Sequence, residues 1–132
     1  MAKQVRGRGE REPNLPDSEL EVMRVLWRRG KATAREVWTD LAAEGSKWTY
    51  ATVNTLLQRL EAKGMTGADK SAMTYVYQPK LKKEAVIKKR VKAMVEKLYD
   101  GQGAALAMHL LRSQKLSKDD LSEIKSIVSD AK

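Results

Sequence analysis

The stretch WTYATVNTLLQRLEAKG, residues 48–64, is the most informative part of the chain because it predicts a helix with two different faces. An apolar stripe at helical spacing is expected to face the core, and its members are Val53, Leu56, Leu57 and Leu60. The opposite, outer face is made of short side chains and amides and has no acidic residue; its members are Ala51, Asn54, Thr55 and Gln58. Thr49 is expected to cap the start of this helix, and Gly64 to end it.

The charge of the chain indicates what such a face contacts. The 132 residues include 26 Lys and Arg against 17 Asp and Glu, which gives a formal net charge of +9. This balance favours polyanionic partners, either nucleic acid or an anionic membrane surface. A helix face of small residues and amides suits the reading of base edges in a DNA major groove. Double-stranded DNA is therefore the favoured partner, and a solvated basic surface is the alternative.

Two more helices are predicted before residues 48–64. The first is expected to begin near residue 16, with Ser18 and Glu21 at capping-box spacing and Asp17 as a rival cap. Its inward stripe is Leu20, Met23, Leu26 and Trp27. Thr33 and Glu36 form a second capping box, which opens a helix with Val37, Trp38 and Leu41 inward. A short turn at residues 45–47 leads into the third helix, and this arrangement is a helix-turn-helix.

A β-hairpin is predicted directly after the third helix. Residues 65–68 and 73–77 suit short strands, and residues 69–72 suit a polar turn between them. Such a hairpin forms a wing, with Lys70 at its tip. These elements predict a winged-helix domain over residues 15–79, preceded by a basic arm at residues 1–14 that we expect to be disordered.

A helical region is predicted over residues 80–132. It has a long helix over residues 80–99, a short apolar helix over residues 104–111 and a last helix capped at Ser117 to Asp120. Three helices in about fifty residues make a poor core by themselves. We therefore expect two copies to pack together, and a tail folded back on its own domain is the alternative. The residues expected in this dimer interface are Val91, Met94, Val95, Leu98, Leu106, Leu110, Leu111, Leu121, Ile124, Ile127 and Val128.

This order of elements resembles the penicillinase-repressor (BlaI/MecI/CopY) family. The likeness rests on ELEVM at residues 19–23, VLW at residues 25–27, the stretch at residues 48–64, and YDG at residues 99–101 with the apolar run that follows it. It covers the chain from residue 15 to the C-terminus. The resemblance implies a mainly α winged-helix protein that represses transcription as a homodimer on a palindromic operator. The absence of Cys and of a long apolar run predicts a cytoplasmic protein.

The resemblance also bears on how such a repressor is released. In the family, a membrane sensor protease stimulated by a β-lactam leads to cleavage at an Asn-Phe step in the dimer domain, and the genes concern antibiotic resistance. The matching positions here are His109 and Leu110, which depart from that step. The copper-responsive branch carries a Cys-rich metal hook near its C-terminus, whereas this chain has no Cys.

The expected DNA contacts divide into base readers and phosphate contacts. Asn54 and Gln58 suit the adenine edge, and Thr55 and Ala51 suit a thymine methyl; a solvated helix face is the alternative. The expected phosphate contacts are Thr49, Thr52, Arg59, Lys63 and Lys70. Helix-turn-helix dimers place equivalent helices about 34 Å apart in successive major grooves, so the operator should be an inverted repeat.

Enzymatic functions are not supported by the residues present. A chain without Cys and with His109 as its single histidine offers no nucleophile–base pair and no metal site, and it has no phosphate-binding loop. We therefore expect no enzyme activity, cofactor, metal or membrane span. Two alternatives stay open beside the specific repressor: an architectural DNA-binding protein without sequence preference, and a winged helix that binds another protein.

Overall fold

The computed structural model describes residues 15–130, so the arm expected at residues 1–14 lies outside the described residues. The elements, in order, are α1 (Asp17–Arg29), β1 (Ala32–Thr33), α2 (Ala34–Ala43), α3 (Tyr50–Ala62), β2 (Thr66–Asp69), β3 (Val76–Pro79), α4 (Lys83–Leu98), α5 (Gly103–Ser113) and α6 (Lys118–Asp130). This mainly α architecture with a small antiparallel sheet confirms the predicted fold class. None of the helices among residues 15–130 combines the length and apolar content needed to cross a membrane.

The described chain divides into two compact units. The first covers residues 15–89 and the second residues 90–130. The division falls inside α4, later than the boundary expected after Pro79. The helix-turn-helix and the wing therefore belong to one unit together with the start of α4, where Val86 is buried in the same core.

The wing is a three-stranded sheet, and the prediction of a simple hairpin is incomplete. The strand order is β1-β3-β2, and both pairings are antiparallel. β1 pairs Ala32 with Tyr77, which gives β3 a partner on its second edge. The hairpin strands also lie later than predicted, at Thr66–Asp69 and Val76–Pro79. A strand of two residues is too short to show an alternating pattern, which explains why the sequence did not predict β1.

The start of α1 differs from the prediction. Pro16 is the N-cap and no side chain caps this end, so the assignment of the cap to Ser18 or Asp17 is wrong. Because the helix begins at Asp17, Ser18 already lies in its first turn. The Leu20 N–H bonds the Pro16 carbonyl at 2.9 Å instead. The acidic residues Asp17 and Glu19 still place negative charge near the positive end of the helix.

The buried arc of α1 is wider than the predicted stripe. Met23 and Leu26 are fully buried as expected, and so are Val22 and Val25, which the stripe did not include. Leu20 and Trp27 are only partly buried at the edge of the core. The reason is that α1 packs against α2, α3 and β3 together, so that little of its circumference remains open.

The first turn of α2 confirms a local prediction. The Thr33 hydroxyl accepts from the Glu36 N–H at 3.1 Å, and the Glu36 carboxylate accepts from the Thr33 N–H at 2.9 Å. Val37 and Leu41 are buried as predicted, while Trp38 is partly buried. This reciprocal cap fixes where α2 starts relative to β1, which ends at the capping residue.

The second unit has regular helices but no enclosed core. Ser117 caps α6 as predicted, since its hydroxyl accepts from the Asp120 N–H at 2.9 Å. No residue between 90 and 130 is buried in the single chain. Val91, Met94 and Leu98 of α4 are exposed in the single chain, and their place in a dimer interface stays a prediction. The apolar faces of α5 and α6 are likewise open: Leu110, Leu111, Leu121, Ile127 and Val128 are exposed, and Leu106, Val95 and Ile124 are half-buried.

Candidate nucleic-acid interface

α3 is fixed at both ends and along its inner face. The Thr49 hydroxyl accepts from the Thr52 N–H at 3.1 Å, which confirms the predicted cap. At the other end Gly64 has φ +78°, and the Met65 N–H reaches the Leu60 carbonyl at 2.9 Å, which closes the helix through a glycine in the left-handed region. The four apolar residues of the predicted stripe are all buried. The rotation of α3 about its axis is therefore set.

This rotation turns the predicted base-reading face outward. Ala51, Thr55 and Gln58 are exposed, and Asn54 is half-buried. Asn54 and Gln58 line a cleft of about 490 Å³, which we call the wing cleft. Its other walls are the first turn of α2 and residues 73–77 of the wing. The two amides thus lie on the side of α3 that faces the wing, whereas Ala51 and Thr55 lie outside the cleft lining.

An arginine and aromatic cluster borders the wing cleft, and the sequence did not predict it. The Arg35 guanidinium carbon lies 5.3 Å from the centre of the Tyr50 ring and 5.7 Å from that of Trp38. The two rings meet edge to face with their centres 5.9 Å apart. Trp38 is in turn held by a hydrogen bond from its Nε1 to the Trp48 carbonyl at 3.1 Å. Arg35 and Tyr50 both line the cleft.

The predicted phosphate contact Lys70 has a partner within the protein. Its Nζ lies 2.9 Å from Glu61 Oε2, near the end of α3, and 5.4 Å from the centre of the Tyr75 ring. The hydrogen bond to the Glu61 carboxylate raises the pKa of Lys70 above its ordinary value. Lys70 therefore links the turn of the wing to α3, and its contact with DNA stays a prediction.

Lys63, another predicted phosphate contact, forms an ion pair with Glu19 of α1. The Glu19 side chain is only 3% exposed, so its charge must be compensated within the protein. Lys63 is the C-cap of α3, and the pair therefore joins the end of α3 to the start of α1. Its role as a phosphate contact also stays a prediction.

The remaining predicted phosphate contacts lie on the open side of α3. Arg59 is exposed and forms no ion pair with a carboxylate of residues 15–130. The hydroxyls of Thr49 and Thr52 lie 3.1 Å apart at the start of the helix, so the two predicted threonines are neighbours on the surface.

The predicted cleavage step lies in the second unit. His109 and Leu110 are both exposed on α5, where the His109 carbonyl accepts from the Ser113 hydroxyl at 2.8 Å.

The chain matches known proteins over most of its length. The model of the family described as penicillinase repressor matches residues 15–130. The chain is 28% identical over 120 residues to the penicillinase repressor of Bacillus licheniformis, which covers 91% of this chain and 93% of the relative. It is 24% identical over 115 residues to the methicillin resistance regulatory protein MecI of Staphylococcus aureus strain N315, covering 87% and 93%.

One solved structure resembles the chain over nearly its whole length. The crystal structure of the transcriptional regulator Tm0710 from Thermotoga maritima aligns with a TM-score of 0.50 and 22% sequence identity. The alignment covers 98% of this chain and 88% of that one. At this identity the likeness concerns the fold alone.

Proposed function

The chain belongs to the penicillinase-repressor family of transcriptional repressors, and from this premise we propose that it binds double-stranded DNA through the outer face of α3. The observation that carries this proposal is the face itself. It is free of acids, is turned outward by a helix with a buried inner stripe, and belongs to a chain of net charge +9. Asn54 and Gln58 are the proposed base readers, because amides suit the adenine edge, and Ala51 and Thr55 are proposed to contact thymine methyls.

We further propose that the repressor is a homodimer paired through its second unit. The support is the open apolar surface of residues 90–130, which has no buried residue in one chain. Such a surface on a soluble protein marks an interface, and a second copy offers a surface of matching apolar character. Two copies related by a two-fold axis would place their α3 helices in successive major grooves, and the operator is then an inverted repeat.

The genes that this repressor controls are proposed to be of the β-lactam-resistance type. The names of the relatives, a penicillinase repressor and a methicillin resistance regulator, support this proposal. Release by a sensor protease that cuts between His109 and Leu110 stays a prediction. Both residues are exposed, but they lie in α5, and a protease needs that helix to open locally before it can cut. A cytoplasmic location follows from the proposed function.

The proposal is tested by selecting preferred sites from a random duplex pool with the purified full chain at two salt concentrations. We expect enrichment of an inverted repeat whose half-sites are about one helical turn apart. No enrichment, with binding that is lost as salt rises, would indicate an architectural DNA-binding protein instead. No binding of any duplex would contradict the proposed function and favour a winged helix that binds another protein.

The homodimer is tested separately by sedimentation at micromolar protein concentration. We expect a single dimeric species. A monomer under these conditions would contradict the dimer and leave DNA binding to be explained by one winged-helix domain.

A further inference from the structure

We propose that the wing cleft takes the sugar–phosphate backbone of one DNA strand, and that Arg35 is the residue that contacts a phosphate there. The inference rests on the proposed function, since it concerns how the same surface holds DNA. It adds a contact from α2, an element to which no DNA contact was assigned from the sequence.

The geometry of a duplex leads to this assignment. Each groove of B-DNA is bounded by two phosphate backbones, and the major groove is about 12 Å wide. If α3 enters the major groove, the wing beside it must lie on the other side of one of these backbones. The space between α3 and the wing is then where that backbone passes. The wing cleft is this space, with Asn54 and Gln58 on one wall and residues 73–77 on another.

The chemistry of the cleft suits a phosphate. None of the residues that line it is acidic, and Arg35 is the cation among them. Arg35 is exposed and forms no ion pair with any carboxylate in the described part of the chain. A guanidinium without a carboxylate partner keeps its N–H groups available, and its planar fork matches the oxygens of a phosphate.

Arg35 is also held in position before any ligand binds. Its guanidinium lies against Tyr50 and Trp38, and the Trp38 ring is fixed by its hydrogen bond to the Trp48 carbonyl. Contacts of a cation with aromatic faces favour one orientation of a long side chain. Less conformational entropy is then lost when the phosphate binds. Lys70 differs from Arg35, because its ammonium group already forms an ion pair with the Glu61 carboxylate.

An ion pair next to the cleft joins the wing to α3. The pair between Lys70 and Glu61 connects the wing to the last part of α3. The Lys70 ammonium also lies over Tyr75, which lines the cleft. The wing thus contacts the end of α3 through this pair, and Arg35 contacts the start of the same helix through Tyr50. Both walls of the cleft are joined to α3 by these contacts.

The test compares full-length variants on two duplexes of equal length, the selected operator and an unrelated sequence, over a series of salt concentrations. Arg35→Gln is expected to lower the affinity for both duplexes by a similar factor, about tenfold. It should also reduce the slope of log affinity against log salt by about 1, the value for one lost phosphate contact. Arg35→Lys should keep the slope while recovering only part of the affinity.

Arg24→Gln is the matched control, because it removes the same charge from an exposed arginine of α1 that lies outside the cleft and pairs with Glu21 at 3.6 Å. It should leave the slope unchanged. A variant that is partly unfolded binds with a lower amplitude but with the same slope, so the slope separates a phosphate contact from a supporting role.

Two results would overturn the inference. An Arg35→Gln protein with the slope of the wild type would do so while leaving the proposed function intact. A variant that loses affinity for the operator alone would instead make Arg35 a base reader. If the wild-type protein binds neither duplex, the proposed function fails, and the inference with it.

Discussion

The two units of this chain are both mainly helical but differ in what their helices enclose. In residues 15–89 the helices and the sheet surround a core whose central members, among them Val22, Leu26 and Leu57, are fully buried. In residues 90–130 no residue is buried, and Leu98 is 73% exposed. An amphipathic pattern therefore says which face of a helix is apolar, and not whether the same chain covers it. The first unit encloses a core of its own, whereas the second leaves its apolar faces open, as the proposed dimer requires.

Leu57→Ala is expected to lower the free energy of unfolding more than any other substitution considered for the two units. It removes a fully buried side chain from the inner face of α3, and such changes destabilise by about 2–5 kcal/mol. The measurement is denaturant unfolding followed by the fluorescence of the tryptophans, which all lie in the first unit, and by circular dichroism, which reports the helices of both units. The loss should not depend on protein concentration.

Leu111→Ala is the matched control for Leu57→Ala, since the same truncation is made on the open face of α5. Its cost should depend on protein concentration, because it acts through the contact between two copies. Equal, concentration-independent losses for both variants would mean that the second unit has a core of its own, and the contrast between the units would be lost.

Lys63→Ala tests whether the ion pair between Lys63 and Glu19 stabilises the first unit. The change leaves the Glu19 carboxylate buried without its cation, which costs about 3–5 kcal/mol for a fully buried pair and less here because Lys63 is 27% exposed. We expect a loss of thermal stability that the double variant Glu19→Gln, Lys63→Met largely recovers. If the protein keeps its melting temperature but loses affinity for DNA, Lys63 is a phosphate contact, as the sequence alone predicted.

Asn54→Ala separates the reading of DNA from the pairing of chains. Because the Asn54 amide suits the adenine edge, its loss should cost about 1–3 kcal/mol at the operator and little at unrelated DNA. The dimer should persist in sedimentation. Thr39→Ala is a control on the exposed surface of α2, outside the cleft. Equal losses on both duplexes would contradict the assignment of Asn54 as a base reader.

What the sequence could predict follows from how far apart the interacting residues lie. The caps by Thr33, Thr49 and Ser117 were predicted because each hydroxyl bonds an N–H three residues later. Capping signals of this kind are contained in a single helical turn. The buried stripe of α3 was predicted for the same reason, since one helical period specifies it.

Contacts between distant elements were not predicted. The ion pair of Glu19 with Lys63 joins α1 to α3, and the contact of Arg35 with Tyr50 joins two helices across a turn. In the sequence, these charges look the same as solvated ones. Lys63 and Lys70, which the sequence predicted as phosphate contacts, have carboxylate partners within the protein, and Arg35, which it did not, lies against two aromatic rings. The outer face of α3 was thus easier to predict than the partners of the charges around it, because those partners depend on tertiary packing.

Asp40→Asn is expected to have the smallest effect, and it tests the first unit alone. The Arg29 guanidinium donates to both oxygens of Asp40, at 2.8 and 3.0 Å, and this hydrogen bonding lowers the pKa of Asp40 below its ordinary value of 3.8. A carboxylate with a lowered folded-state pKa contributes stability above the unfolded value and loses it as the pH falls through the folded one. Exposed pairs of this kind contribute about 0–1 kcal/mol.

The variant should therefore be slightly less stable than the wild type at neutral pH, and the difference should vanish in acid below the folded-state pKa of Asp40. Thermal unfolding of both proteins across this range measures it. A difference that persists undiminished in acid would show that Asp40 acts through packing and not through its charge. Since the pair joins α1 to α2, dimer dissociation should be unaffected throughout, and a parallel change in sedimentation would mean that the two units do not respond separately.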